Sequence, residues 1–331
     1  MTRGTAHPRL AAIFVLLAAL LLCSAAVVSA QASIPDRGEG TVTLTYENYV
    51  VSGHFDVQGR ENTNGGTRSH AIVTEVDYGV AEHLGLIVSL PFIASKYTGP
   101  PSYFVGPYQT FPGPLDDGNY HAAAQDVRVE IRRRWWAGPV PFAPFVGVSF
   151  PTHDYETIGE AVPGRHRRDV QVGANAGVDL DRVVPGAYVQ GRYAYGAMER
   201  IDNLPFTRSN IDLEGGVSAT SRLVLRALGS WQIRHSGPSL DQLAPDWLHH
   251  DRFIAPSYVN VGGGASVSIT GSTDVFALLV ATAAGSNGAH RQRTVAIGIS
   301  VGVGSHLKGL GGSAASGRGG PARASVTAPF R

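Results

Sequence analysis

The sequence predicts an all-β protein: a closed antiparallel transmembrane β-barrel of about 12 strands, with short periplasmic turns and long extracellular loops. Three observations predict it: an N-terminal segment of secretory type, apolar and polar residues that alternate with a period of two, and connections that alternate between short and long. The chain has 331 residues, of which 27 are basic and 26 acidic. This near-neutral balance argues against nucleic acid as a partner, because proteins that bind it carry a clear excess of positive charge.

Residues 1–30 have the organisation of a cleaved signal peptide. Arg3 and Arg9 form its basic start, an apolar run covers residues 10–22, and the small residues Val28-Ser29-Ala30 form a cleavage pattern. An uncleaved membrane anchor is the alternative, and the site at Ala30 favours cleavage.

The only cysteine of the chain, Cys23, lies inside this segment. Attachment of a lipid at Cys23 is a further alternative, which the bulky Leu22 before it disfavours. Cleavage at Ala30 would leave a chain with no thiol, which excludes disulfides, thiolate catalysis and cysteine metal ligands.

Alternation is clearest over residues 125–131, where Val127, Val129 and Ile131 lie on one face of the predicted strand and charged residues lie on the other. A helix would scatter these residues around its surface, whereas a strand separates them. The same pattern gives eleven further candidate strands, at 41–50, 72–80, 84–92, 142–150, 169–180, 187–195, 210–219, 223–234, 257–269, 273–283 and 294–303, of which 142–150 and 273–283 are apolar on both faces or nearly so.

The connections between these segments alternate in length, as is typical of an outer-membrane barrel. A soluble β-sandwich, the alternative, does not require such asymmetry. Lipid offers the backbone no hydrogen-bond partner, so a sheet at membrane depth must close on itself. The long connections are predicted at 52–68, 98–122, 152–167, 198–208, 235–252 and 284–293, and the short ones at 81–83, 137–141, 181–186, 220–222 and 270–272.

Aromatic residues near the predicted strand ends suit the two girdles of a membrane barrel. The alternative is that they are ordinary core aromatics of a sandwich. The predicted girdle consists of Tyr78, Trp135 and Trp136 on the turn side, and Phe92, Tyr97, Phe150 and Trp231 on the loop side.

The predicted organisation has four parts. Residues 1–30 are a signal peptide, 31–40 an N-terminal periplasmic segment, 41–304 the barrel, and 305–331 a disordered tail rich in Gly, Ala and Ser.

Several of these strands resemble the family of outer-membrane transporters named for the meta pathway of phenol degradation. The resemblance rests on Val76-Asp77-Tyr78-Gly79-Val80 with the following strand to Leu90-Pro91-Phe92, on Asp126-Val127-Arg128-Val129, on Phe150-Pro151-Thr152 and on Asp169-Val170-Gln171-Val172-Gly173. His153 stands where the family has glycine, and no glycine directly precedes Asp126. The resemblance implies a barrel that passes small, often aromatic or hydrophobic, molecules and has no catalytic residues.

Charged residues on the polar strand faces are the candidate site of the predicted barrel. They either line a polar pathway and set its selectivity, or pair with one another and plug the lumen. The predicted lumen-lining residues are Asp126, Arg128, Glu130, Arg132, Asp169, Arg192, Asp212, Glu214, Arg226 and Arg234.

Other chemistry is weakly indicated. Asp246, His249, His250 and Asp251 are metal-ligand types without a recognised spacing, and we interpret them as solvated loop residues. The serine–histidine neighbours Ser69-His70 and His235-Ser236 would face opposite sides of a strand, and no Gly-x-Ser-x-Gly motif occurs. We therefore predict no catalytic residues, no metal and no cofactor.

The predicted function is passive passage of small solutes, including hydrophobic or aromatic ones, through the bacterial outer membrane. The alternatives are a sealed barrel that acts as a structural or adhesin protein through its long loops, and, less favoured, an outer-membrane hydrolase. The predicted partners are outer-membrane lipid, a small-molecule solute and the barrel-assembly machinery.

Overall fold

A computed structural model describes residues 34–304, except 64, 101–102, 105–109, 112, 138–139, 202 and 243–249. The predicted signal peptide and C-terminal tail lie outside the described residues. Within the described part of the chain, no helix is long and apolar enough to cross a membrane.

Twelve long strands make up about two thirds of the described chain. They are β1 (Gly40–Phe55), β2 (Gly66–Ala81), β3 (Leu84–Thr98), β4 (His121–Ala124 continued by Val127–Arg133), β5 (Val140–Phe150), β6 (Asp169–Asp179), β7 (Ala187–Ile201), β8 (Leu204–Ser218), β9 (Leu223–Ser236), β10 (Ser257–Thr270), β11 (Thr273–Ser286) and β12 (His290–Val303). Shorter elements are the strand segments Glu61–Asn62, Tyr103–Phe104, Thr110–Phe111 and Trp135–Ala137, the 3-10 turn Leu240–Gln242 and the one-turn helix α1 (His250–Phe253).

The sheet closes on itself. Each strand pairs antiparallel with the next along the chain, and β12 returns to pair with β1 from Gly40↔Val303 to Val51↔Gln292. A closed sheet has no edge strand with unpaired backbone groups. The prediction of a closed antiparallel barrel with twelve strands is confirmed.

Two of the six predicted long connections are wrong. Strand β7 ends at Ile201 and β8 begins at Leu204, while β11 ends at Ser286 and β12 begins at His290. The segments 198–208 and 284–293 lose the apolar alternation, but backbone pairing continues through them, with Met198 opposite Phe206 and Ile201 opposite Leu204. A strand needs only backbone partners to extend, so the end of an apolar pattern does not mark the end of a strand.

The two faces of the barrel are the reverse of those of a soluble protein. Outward side chains are apolar and exposed, as with Leu279 at 60% and Ile297 at 51%, and similar residues surround the barrel. Inward side chains are mostly polar and buried, such as Thr43, whose hydroxyl lies 2.8 Å from that of Ser300. Soluble domains seldom expose an apolar surface this extensive.

One sector of the interior is apolar. Phe276 and Leu278 on β11 point inward and pack with Ala296 on β12, and the half-buried Leu228 of β9 joins them. Glycine makes room for the ring: a Cβ on Gly298, which is paired with Phe276, would lie 2.3 Å from the ring's Cζ and 2.9 Å from the carbonyl oxygen of Leu44. This apolar wedge (Phe276, Leu278, Ala296 and Leu228) explains why segment 273–283 is apolar on both faces.

We expect Gly298→Ala to lower the free energy of unfolding by about 1–3 kcal/mol, because the added methyl overpacks the wedge. Gly302→Ala is the matched control on the same strand, since the nearest atoms to its Cβ are 3.7 Å away. Equilibrium unfolding in urea measures both. Phe276→Leu added to Gly298→Ala should recover part of the loss; no recovery would contradict the assignment to this contact.

Candidate functional site

The barrel encloses a cavity of about 330 Å³. Inward positions of most strands line it, because alternate residues of each strand face the lumen. The predicted residues that line the cavity directly are Asp126, Arg128, Asp169, Arg192 and Asp212.

On the short-turn side, an ion pair that spans the lumen borders the cavity. Glu130 on β4 is completely buried, and its carboxylate accepts hydrogen bonds from Arg192 on β7 at 3.1 and 2.7 Å and from Arg128 beside it. Two strands stand between β4 and β7, so this pair bridges the interior rather than neighbouring strands. The Arg192 guanidinium also stacks 3.6 Å from the centroid of the Phe145 ring.

Further polar contacts extend this layer. The Arg132 guanidinium donates to Asp77 at 2.5 Å, skipping one strand. Tyr188 donates to Glu214 at 2.5 Å, and Arg226 donates to the hydroxyl of Ser266 at 2.9 Å. We call the group Asp77, Arg128, Glu130, Arg132, Arg192, Glu214 and Arg226 the ion-pair layer.

Arg234, the last of the predicted lumen residues, belongs neither to the cavity lining nor to the ion-pair layer. Arg234 lies at an inward position near the end of β9, and its guanidinium donates to the carbonyl oxygens of Gly237 and Pro238 at 3.4 and 3.3 Å. It therefore holds the following connection in place.

On the long-loop side, three connections fold into the barrel mouth. We call their described residues the cap: 113–120, 151–168, 237–242 and 250–256. The hydroxyl of Tyr155 donates to Asp126 at 2.5 Å, and the hydroxyl of Thr67 donates to the carbonyl oxygen of Glu160 at 3.1 Å. Within the cap, the carboxylate of Asp116 accepts a hydrogen bond from the backbone of Glu160 at 2.9 Å. These contacts enclose the cavity from above.

The cap brings two further arginines into the interior, which the sequence analysis missed. Arg165 and Arg167 join Arg208 of β8 around the buried Phe206 ring, with guanidinium carbons 5.2, 5.7 and 5.3 Å from its centroid. Burial, followed by the charge of Arg208, lowers the pKa of Arg165 to about 10, and burial, followed by the charges of Arg165 and Arg252, lowers that of Arg167 to about 10. The run of basic residues at 165–168 was the only sequence signal.

Histidines and carboxylates also meet at the mouth. The ring of His250 lies 3.4 Å from Glu160 and 3.4 Å from Asp251, and His290 lies 3.6 Å from Asp251. Burial raises the pKa of Asp251, but the neighbouring His250 and His290 more than offset it, so that pKa is lowered. Within the described residues, no group of His, Cys, Asp and Glu is arranged to hold a metal ion. Asp246 and His249 lie outside them.

The predicted girdle is wrong at one position. Tyr97 points into the barrel, is only 4% exposed and packs with Leu115 and Ala161 of the cap. It is an odd-numbered residue of β3, whose odd positions face inward, whereas Phe92 is even-numbered and exposed.

The side chains of the other described girdle candidates point outward. Tyr78, Trp135 and Phe150 are exposed. The ring of Trp231 covers Gly229 and would lie 2.8 Å from a Cβ added to that glycine. The side chain of Trp136 lies outside the described residues. Four exposed tyrosines are absent from the predicted girdle: Tyr46, Tyr120, Tyr193 and Tyr195.

These four tyrosines form two exterior clusters around histidines. His70 bonds the hydroxyls of Tyr46 at 2.7 Å and Tyr120 at 3.1 Å. On β7–β9, Tyr195 stacks on His235, whose Nε2 lies 2.7 Å from the Ser209 hydroxyl.

Among the described residues, the serine–histidine arrangements do not form a catalytic triad. The Ser69 hydroxyl faces inward and lies 2.8 Å from that of Ser95, while His70 faces outward, as strand alternation predicts. Ser209 and His235 are at hydrogen-bond distance, but in the described part of the chain no carboxylate or amide oxygen bonds Nδ1 of His235. A triad needs such a group to orient the base.

No protein-family model and no curated protein sequence matches the chain. Solved structures do. An outer-membrane channel from Pseudomonas putida F1 aligns with a TM-score of 0.62 at 12% identity, over 84% of this chain and 100% of that chain. The translocator domain of the autotransporter NalP from Neisseria meningitidis gives 0.44 at 14% identity, over 89% and 97%. The monoaromatic hydrocarbon channel CymD gives 0.40 at 10% identity, over 82% and 90%.

The first of these likenesses agrees with the strand pairing. The chain has the fold of a closed antiparallel barrel of the kind that the Pseudomonas channel also adopts.

We expect Glu130→Ala to lower the free energy of unfolding by about 3–5 kcal/mol, because it leaves Arg128 and Arg192 buried without their shared carboxylate. Urea unfolding of the refolded protein measures the change. Glu82→Ala removes a carboxylate that is 87% exposed and should be nearly neutral. Equal effects of the two substitutions would show that Glu130 is not a structural anion.

Proposed function

We propose that the protein is an outer-membrane channel for the passive passage of small solutes. The observation that carries this proposal is the cavity of about 330 Å³ inside a closed barrel whose outer face is apolar. An enclosed, mainly polar interior behind an apolar exterior provides a path for solutes across lipid. The N-terminal segment of secretory type supports export, and insertion would then require the barrel-assembly machinery.

The exterior matches what a bilayer requires. Its apolar side chains would contact acyl chains, and the exposed tyrosines, with Lys96 whose ammonium lies 5.5 Å from the centroid of Tyr120, suit the headgroup region. Strand closure leaves no unpaired sheet edge to face lipid. Residence in the outer membrane follows as part of the proposal.

We expect Ile297→Arg to destabilise the vesicle-embedded protein by about 2–4 kcal/mol, since it places a charge on the lipid face. Val183→Arg, in the turn between β6 and β7 where the side chain is 70% exposed, is the control and should change little. Urea unfolding in lipid vesicles measures both. A neutral Ile297→Arg would contradict contact between this face and lipid.

The interior suits small solutes with both polar and apolar parts. Arg128, Asp212 and Asn260 line the cavity together with Ile93 and Met198. The short motifs shared with transporters named for phenol degradation support hydrophobic or aromatic solutes as the substrate class.

Described side chains narrow the lumen on both sides of the cavity. Passage requires the ion-pair layer and the cap to part, and both are held by side-chain contacts that water can replace. In a sealed adhesin the long connections would face outward to reach partners, whereas those of the cap fold inward. This difference favours the channel over the adhesin.

Single-channel recording in planar bilayers, together with liposome swelling in arabinose, tests the proposal. We expect the wild type to conduct, and the double variant E130S/R192S to conduct severalfold more because it removes the bridge across the lumen. Arg222→Ser, an exposed turn residue, is the control for loss of charge. Absence of conductance and swelling in both proteins, despite confirmed insertion, would overturn the proposal.

A further inference from the structure

The arginine cluster at the mouth has more cations than carboxylates bonded to them. It consists of Arg165, Arg167 and Arg208 around Phe206. Arg208 forms a two-fold contact with Asp169, at 2.7 and 3.3 Å. In the described part of the chain, neither Arg165 nor Arg167 forms an ion pair. Three cations therefore share one bonded carboxylate.

The two arginines of the cap are held by backbone oxygens instead. Arg165 donates one Nη1 hydrogen bond to the carbonyl oxygen of Ile254 at 2.7 Å. Arg167 donates to the carbonyl oxygens of Arg252 and Glu199. These bonds fix the positions of the guanidinium groups without neutralising them.

Donors remain unused in the cluster. A guanidinium has five N–H donors. The Nε of Arg167 is buried and has no hydrogen-bond partner among the described residues, although Arg167 is only 2% exposed. Arg165 is half-buried and lines the cavity, as do Arg167 and Arg208, so its remaining donors have access to the enclosed space. A buried donor without a partner costs free energy that a bound acceptor would recover.

We infer that this cluster is a binding site for the carboxylate group of a small organic acid with an apolar body. Planar guanidinium groups match a carboxylate with two parallel hydrogen bonds. Phe206, Met198 and Ile254 line the same part of the cavity and would contact the apolar body. The inference rests on the proposed function, because the solute must enter the lumen to reach the site.

Charges elsewhere in the cavity favour a single negative charge over a double one. Glu47 on β1 and Glu75 on β2 line the cavity about half the circumference away from Arg208 on β8. A monoanion can direct its charge to the arginines and its apolar end away from them. A phosphate dianion would gain less, because it carries more charge past these glutamates and has no apolar body.

Calorimetric titration of the detergent-purified protein with benzoate tests the site, with benzamide as the neutral molecule of the same shape. We expect benzoate to bind. Benzamide should bind at least about tenfold more weakly, because it lacks the charged carboxylate to which the guanidinium groups would donate hydrogen bonds. Arg165→Gln should weaken benzoate at least about tenfold. Arg168→Gln is the matched control, since Arg168 is exposed and lies three residues along the same segment.

Arg165→Lys serves as a second variant if Arg165→Gln fails to fold, as judged by heat-modifiable gel mobility. It keeps the charge but loses the two-fold hydrogen-bond geometry, so benzoate should still bind more weakly than to wild type. The inference is overturned if benzamide binds as tightly as benzoate, if the Arg165 variants match Arg168→Gln, or if inorganic phosphate displaces benzoate at equal concentration.

Failure of this inference is distinguishable from failure of the channel proposal. Arabinose is neutral and does not need the arginines, so swelling with arabinose but no benzoate binding rejects the site alone. Benzoate binding without conductance or swelling rejects passage and leaves the site in place.

Discussion

Backbone hydrogen bonding between the first and last strands is the constraint on which the molecule depends. When β12 pairs with β1, every strand has two neighbours and the sheet loses its edges. Closure then divides all side chains into two sets by their position along each strand. The outer set is apolar and the inner set is mainly polar. The closure of the backbone pairing therefore determines which side chains meet the surroundings and which line the lumen.

Closure also forces charged groups into a narrow interior, where each must find a partner. Glu130 meets this need in two ways, along its own strand with Arg128 and across the lumen with Arg192. Such buried pairs contribute little net stability relative to apolar packing, but removal of one member is costly. The ion-pair layer therefore defines the arrangement of the interior more than it stabilises it, and the same contacts that fill the lumen are those that water and ions could separate.

The sequence predicted the parts of this structure that depend on strand alternation. The faces of Val127, Val129 and Ile131 against Glu130 and Arg132 follow from a period of two and agree with the structure. The same rule shows that Phe92 and Tyr97 cannot share a face, although both were placed in one girdle by their distance from the strand end.

The rest depends on contacts between segments distant in the chain. Arg165 and Arg167 reach the cavity only because the cap folds inward, and that fold rests on contacts such as Tyr155 with Asp126. Loop residues have no periodicity from which a direction could be read. The cavity, the cap and the arginine cluster were therefore not predictable from the pattern that revealed the barrel.

The lower part of the lumen contains two unlike groups of side chains. The ion-pair layer extends over β2, β4 and β7–β9, and the apolar wedge centred on Phe276 lies on β11 and β12 with Leu228 of β9 beside it. Water can hydrate the ion-pair layer as its contacts separate, but the side chains of the apolar wedge offer it no hydrogen-bond partners. An aperture in this floor would therefore open beside the charged groups rather than beside Phe276, and a hydrated ion crossing it would pass along the charged side.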